Sequence, residues 1–154
     1  MKRSFVGYIA LFLVISFVVP AYAAVRLPKL ISDGMVLQRD AKVNVWGWAE
    51  PSEKVTVQID GSSYSTVADA AGNWKLILKS HKAGGPYTME VIGENTIKIN
   101  NILFGDVWLC SGQSNMELPI YRVKPLYEEE IKNAQNPNIR YFAVPQKYNL
   151  KSPE

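Results

Sequence analysis

Lys54-Val55-Thr56-Val57-Gln58-Ile59-Asp60-Gly61 decides how the first part of this chain is read. Its apolar residues alternate with polar ones, and a period of two marks a strand with one buried and one wet face. Asp60-Gly61 follows at once, a pair that supplies the positive backbone angles of a tight hairpin. Upstream, Lys42-Val43-Asn44-Val45-Trp46-Gly47-Trp48 alternates in the same way. Downstream, a turn at Asp69-Ala70-Ala71-Gly72-Asn73 leads into residues 74–79, and Lys82-Ala83-Gly84-Gly85-Pro86 breaks the chain before residues 87–92. Gly93-Glu94-Asn95 then turns into residues 96–99. Five or six short strands, about ten residues apart, predict an antiparallel β-sandwich over residues 24–103.

From Phe104 the pattern changes. Val107-Trp108-Leu109-Cys110 is continuously apolar, as in a parallel strand covered on both faces. Pro119 breaks any long helix after Ser114, residues 126–134 predict a helix with acids in its first turns, and Asn136-Pro137-Asn138 stops it. Residues 139–144 read as a second strand. Strand, loop, helix and strand make one βαβ unit, so the fold class expected is mixed: a β-sandwich, then the start of an α/β domain over residues 104–154. A single such unit cannot bury both faces of its strands, and the expectation is a second domain that is incomplete here.

Residues 1–23 predict a secretory signal peptide. Lys2 and Arg3 precede an apolar run from Phe5 to Val19, and Ala21-Tyr22-Ala23 offers the small-residue cleavage pattern. The expected location is therefore periplasmic or extracellular, without stable membrane insertion once the signal is cleaved. Loss of Lys2 and Arg3 lowers the formal net charge from +3 to +1, which argues against nucleic acid as a partner. A single cysteine, Cys110, excludes an internal disulfide. The oligomeric state is not legible.

Ser111-Gly112-Gln113-Ser114-Asn115 stands where the apolar run ends. Catalytic groups of α/β folds gather beyond the carboxyl ends of strands. Ser114 there could expose its hydroxyl, while its backbone N–H could face a developing oxyanion. Serine and asparagine are also favoured helix caps, so a capping role for Ser114 or Asn115 stays open on local grounds.

The block Gly105 to Pro119, GDVWLCSGQSNMELP, resembles the nucleophile block of the sialate O-acetylesterase-like family within the SGNH hydrolase group. Gly112 to Met116 match the family's Gly-Gln-Ser-Asn-Met without substitution, and residues 27–57 are similar to its N-terminal β-domain. The resemblance implies a flavodoxin-like esterase domain that removes O-acetyl groups from sugars. It makes Ser114 the nucleophile of an acyl-enzyme mechanism and its amide part of the oxyanion hole. It also implies an O-acetylated carbohydrate substrate and no metal or organic cofactor. A histidine base and an aspartate would lie further along than Glu154, so the 154-residue chain is expected to be inactive alone.

The other candidates have plainer readings. His81, the one histidine, lies in a polar turn and reads as an exposed loop residue. Cys110 reads as a buried inert thiol, and Asp106 and Glu117 as partners of backbone donors or solvent. Trp46, Trp48, Trp74 and Trp108 could stack sugars, but core or interdomain packing is the simpler expectation. Glu128-Glu129-Glu130 reads as a solvated helix face. Two rival functions fit the same residues: an acetylxylan or other polysaccharide acetylesterase, and a non-catalytic carbohydrate-binding β-sandwich. A Gly-x-Ser-x-Gly elbow fits less well, because Met116 stands where that turn needs glycine.

Overall fold

The computed structural model describes residues 24–145, so the signal-peptide reading of residues 1–23 and the tail from residue 146 lie outside the described residues. The described chain is rich in sheet. Its strands are β1 (Val36–Gln38), β2 (Val43–Trp48), β3 (Lys54–Ile59), β4 (Ser62–Val67), β5 (Asn73–Leu78), β6 (Gly84–Ile92) and β7 (Thr96–Gly105). They form a curled five-stranded sheet, β1-β7-β6-β3-β4, and a two-stranded ribbon, β2-β5.

The alternation that identified the strands also sets their inner faces. Val45 points inward from β2, Val55, Val57 and Ile59 from β3, and Trp74, Leu76 and Leu78 from β5. Met89 and Val91 of β6 join Ile99, Ile102 and Phe104 of β7 in the same buried cluster. At the β3–β4 hairpin Asp60 (φ 47°) and Gly61 (φ 68°) are both left-handed, and Ile59 pairs with Ser62, so the turn has two residues. Asp69 Oδ1 accepts the N–H groups of Ala71 (2.9 Å) and Asn73 (2.8 Å), which closes the expected turn before β5.

Four features differ from the sequence reading. β1 runs parallel to β7, with Val36 opposite Leu103, so the larger sheet is mixed rather than purely antiparallel. β7 continues to Gly105 and buries Phe104, carrying the β-body two residues beyond 103. The βαβ unit is absent among the described residues: 107–110 and 139–144 form no strands, and Trp108 and Leu109 are 84% and 91% exposed. Such a strand needs neighbours on both edges and cover on both faces, and among the described residues it has neither. The helix is shorter than expected, α1 (Glu128–Lys132), and follows a 3₁₀ stretch, Ile120–Leu126, that contains Pro125. The helix ends at Lys132, before the expected stop, and the turn at Asn136-Pro137-Asn138 follows it, with Asn136 Oδ1 accepting from the Asn138 amide at 2.9 Å.

Candidate active site

The segment after β7 is moored to the β-body by polar contacts. Arg39, just after β1, donates from Nε to Asp106 at 2.9 Å and from Nη2 to the second carboxylate oxygen at 3.3 Å. The Val107 amide donates to the Gln38 side-chain oxygen at 2.9 Å. Further on, the Arg140 guanidinium donates to the Gly34 carbonyl (2.8 Å), to the Asn101 carbonyl, and to the Asn101 side-chain oxygen (2.8 Å). Sequence reasoning named none of these arginines, since nothing local links Arg39 to a residue 67 positions away.

Between these moorings Ser114 opens a 3₁₀ turn, Ser114–Met116. The cap position belongs to Gln113, which is extended (φ −85°, ψ −165°) and makes no side-chain capping bond. The turn closes through its backbone: Met116 N–H donates to Gln113 O (2.9 Å) and Glu117 N–H to Ser114 O (3.1 Å). Ser114 is exposed, and among the described residues neither its hydroxyl nor its N–H has a hydrogen-bond partner. The capping role that local residues left open is therefore not taken by Ser114. Gly112 permits the tight approach of the loop, because a Cβ there would lie 2.7 Å from Met116 Cγ.

Asp106 is the ion-pair partner of Arg39, whose guanidinium pKa that hydrogen bond raises. Asp40 sits between Arg39 and Lys82, and the Lys82 hydrogen bond (2.7 Å) lowers its pKa. Cys110 is exposed rather than buried, since the strand expected to enclose it does not form. Glu117 is exposed. Trp74 lies in the core at 2% exposure, whereas Trp46 and Trp48 look outward from β2.

His81 is not a loose loop residue. Its ring stacks on Phe104 (4.3 Å between centroids) and meets the Tyr87 edge at 5.0 Å. Nε2 lies 2.8 Å from Asp60 Oδ2 and Nδ1 lies 2.8 Å from the Lys82 carbonyl. Both partners can only accept, so the geometry suits an imidazolium that donates from both nitrogens. The Asp60 hydrogen bond, helped by the Lys82 carbonyl, raises the His81 pKa above its ordinary value. With both nitrogens engaged in the β-body, His81 has no lone pair directed at Ser114.

Sialate O-acetylesterases are similar to this chain over most of its described length. The Mus musculus protein is 32% identical over 133 residues, covering 77% of this chain and 24% of its own. The Homo sapiens protein is 32% identical over 132 residues, covering 77% and 25%. Among solved structures, a carbohydrate acetylesterase from Xanthomonas citri matches with a TM-score of 0.62 at 46% identity, over 63% of this chain and 22% of that one. The chain belongs to the sialate O-acetylesterase-like family.

No family model matches the chain. It spans about a quarter of the length of the curated family members it matches. Among its described residues no helix is long and apolar enough to cross a membrane, and no three metal-ligating side chains are gathered in one place.

Proposed function

We propose that this chain carries the nucleophile of an exported carbohydrate O-acetylesterase, and that Ser114 is that nucleophile. The observation that carries the reading is the exposed turn within the family-like block on which Ser114 stands, its hydroxyl and N–H without a hydrogen-bond partner among the described residues. A serine hydroxyl is too weakly acidic to attack an ester unaided, so a base must take its proton as the bond to the acetyl carbon forms. The Ser114 N–H would donate to the oxyanion, the sugar hydroxyl would leave with a proton returned by the base, and water would release acetate from the acyl-serine. His81 is held by Asp60 and Lys82. The base that this mechanism needs is therefore a residue other than His81.

In this reading residues 1–23 direct export, residues 24–103 form the sandwich-like β-domain, and residues 104–154 open the esterase domain. The exposed side chains of Trp108 and Leu109 support the last assignment, because a strand added at 107–110 to a completed parallel sheet would cover them. The substrate is an O-acetylated sugar, with O-acetylated sialic acid first. Acetylated polysaccharide is the alternative, and the similar Xanthomonas citri protein is a carbohydrate acetylesterase. Acetate release from both substrates by the protein extended through its esterase domain tests the proposal. Ser114→Ala should lower turnover by roughly 10⁴-fold or more, and turnover that survives the substitution would overturn it.

A further inference from the structure

The ribbon β2-β5 has an outer face that the esterase chemistry does not use. Its outward residues are Asn44, Trp46 and Trp48 on β2 and Asn73, Lys75 and Ile77 on β5. Trp46 stands directly opposite Lys75, and Trp48 opposite Asn73. The two indoles are 37% and 38% exposed, and Ile77 is 53% exposed. They are not core residues that happen to show an edge: the core indole of this ribbon is Trp74, on the opposite face.

The outward side chains of the ribbon carry positive charge, and the acidic group recorded against them is Asp69, whose carboxylate meets the Asn73 side-chain amide at 3.4 Å. Arg26 is fixed beside β2 by paired backbone bonds with Trp48 (2.8 and 2.9 Å), and its guanidinium stands 5.9 Å from the Trp48 ring centroid. None of the outward residues of the two strands is acidic. Among the described residues neither Arg26 nor Lys75 has an ion-pair partner. Two indoles flanked by Arg26, Lys75 and two side-chain amides suit a ligand with an apolar face, hydroxyls and a negative charge.

We propose that this face is a second binding site, which holds a sialylated glycan away from Ser114. The C–H face of a pyranose is apolar and slightly positive, and packs on the negative face of an indole. Arg26 stands over Trp48, whereas among the described residues no cation stands over the Trp46 ring. Lys75, opposite Trp46, and Arg26 would pair with the carboxylate; Asn44 can exchange hydrogen bonds with sugar hydroxyls, and Asn73, whose Nδ2 meets Asp69, can accept from one through its side-chain oxygen. The site would raise the local concentration of substrate at the esterase by tethering a glycan that carries several acidic sugars. The choice of glycan as occupant rests on the proposed function, while the choice of an acidic one rests on the charge of the face.

Binding of the protein extended through its esterase domain to surface-immobilised α2,8-linked sialic acid polymer tests this, with a neutral dextran and a polygalacturonate surface alongside. The sialic acid surface should retain the protein, and dextran should not. Trp46→Ala and Lys75→Glu should each weaken retention roughly tenfold or more, with unchanged circular dichroism spectra. Ser114→Ala should bind as the unsubstituted protein does. No retention on the sialic acid surface, retention unaffected by Trp46→Ala, or retention on polygalacturonate alone would overturn the proposal. Ester turnover without glycan retention would remove this site and leave the esterase reading intact. Retention without turnover would do the reverse.

Discussion

Leu78 and Trp108 are both large apolar residues, and the structure gives them opposite weights. Leu78 closes the inner face of β5 at 1% exposure, in contact with the cluster that joins ribbon and sheet. Truncation to alanine removes its buried methyl groups and leaves a cavity, at a cost of about 3 kcal/mol. In a domain of this size each kcal/mol shifts the melting temperature by roughly 4–8 °C, so the loss should be roughly 12–24 °C. Trp108 is 84% exposed and buries almost nothing. Trp108→Ala in the 154-residue chain should therefore change stability by less than about 0.5 kcal/mol, despite deleting a much larger side chain. Urea unfolding followed by far-ultraviolet circular dichroism measures both. A Trp108→Ala loss as large as that of Leu78→Ala would show that residues 106–145 carry a core of their own, and would refute the assignment of stability to the β-body.

Other outcomes follow from the same geometry. His81 has a raised pKa through Asp60 and the Lys82 carbonyl, so its contribution to stability is present below its unfolded pKa and is lost as pH rises through the higher folded value. Unfolding midpoints of the unsubstituted chain should therefore fall between roughly pH 6 and pH 9 by more than those of Asp60→Asn; equal pH dependence in the two would contradict the pairing. Cys110 is exposed, so a thiol reagent such as 5,5′-dithiobis(2-nitrobenzoate) should modify the folded 154-residue chain without denaturant. Failure to react until unfolding would place the thiol inside. The Arg39–Asp106 pair is about half exposed on both sides, so Arg39→Ala should cost no more than about 1 kcal/mol in urea unfolding. A larger loss would mean that the mooring of the serine segment is part of the cooperative fold.

The β-body was legible in the sequence because its signals are local. Alternation in 42–48 and 54–59 set which residues face inward, and Asp60-Gly61 carried its turn geometry in two residues. β4 left no such signal: Ser62-Ser63-Tyr64-Ser65-Thr66-Val67 is a polar edge strand, stabilised by pairing with β3 rather than by its own hydropathy. β1 was hidden for a related reason, since three residues are too few to show a period and it is held by the β7 edge. The described structure departs most from the reading at 107–110, where continuous apolarity marks a strand only if a sheet is present to receive it. At the candidate site, Ser114 is proposed from its motif, and it stands exposed on its turn. Its surroundings were not legible, because Arg39, Arg140 and the engagement of His81 by Asp60 depend on contacts between distant positions.

The assignment of the nucleophile is tested most directly by trapping it. The protein extended through its esterase domain, incubated with a fluorophosphonate ester and digested, should yield one modified peptide in mass spectrometry, with the added mass on Ser114 and acetate release lost in proportion. Full inactivation with the label on another residue, or hydrolysis that continues with Ser114 fully modified, would contradict the account.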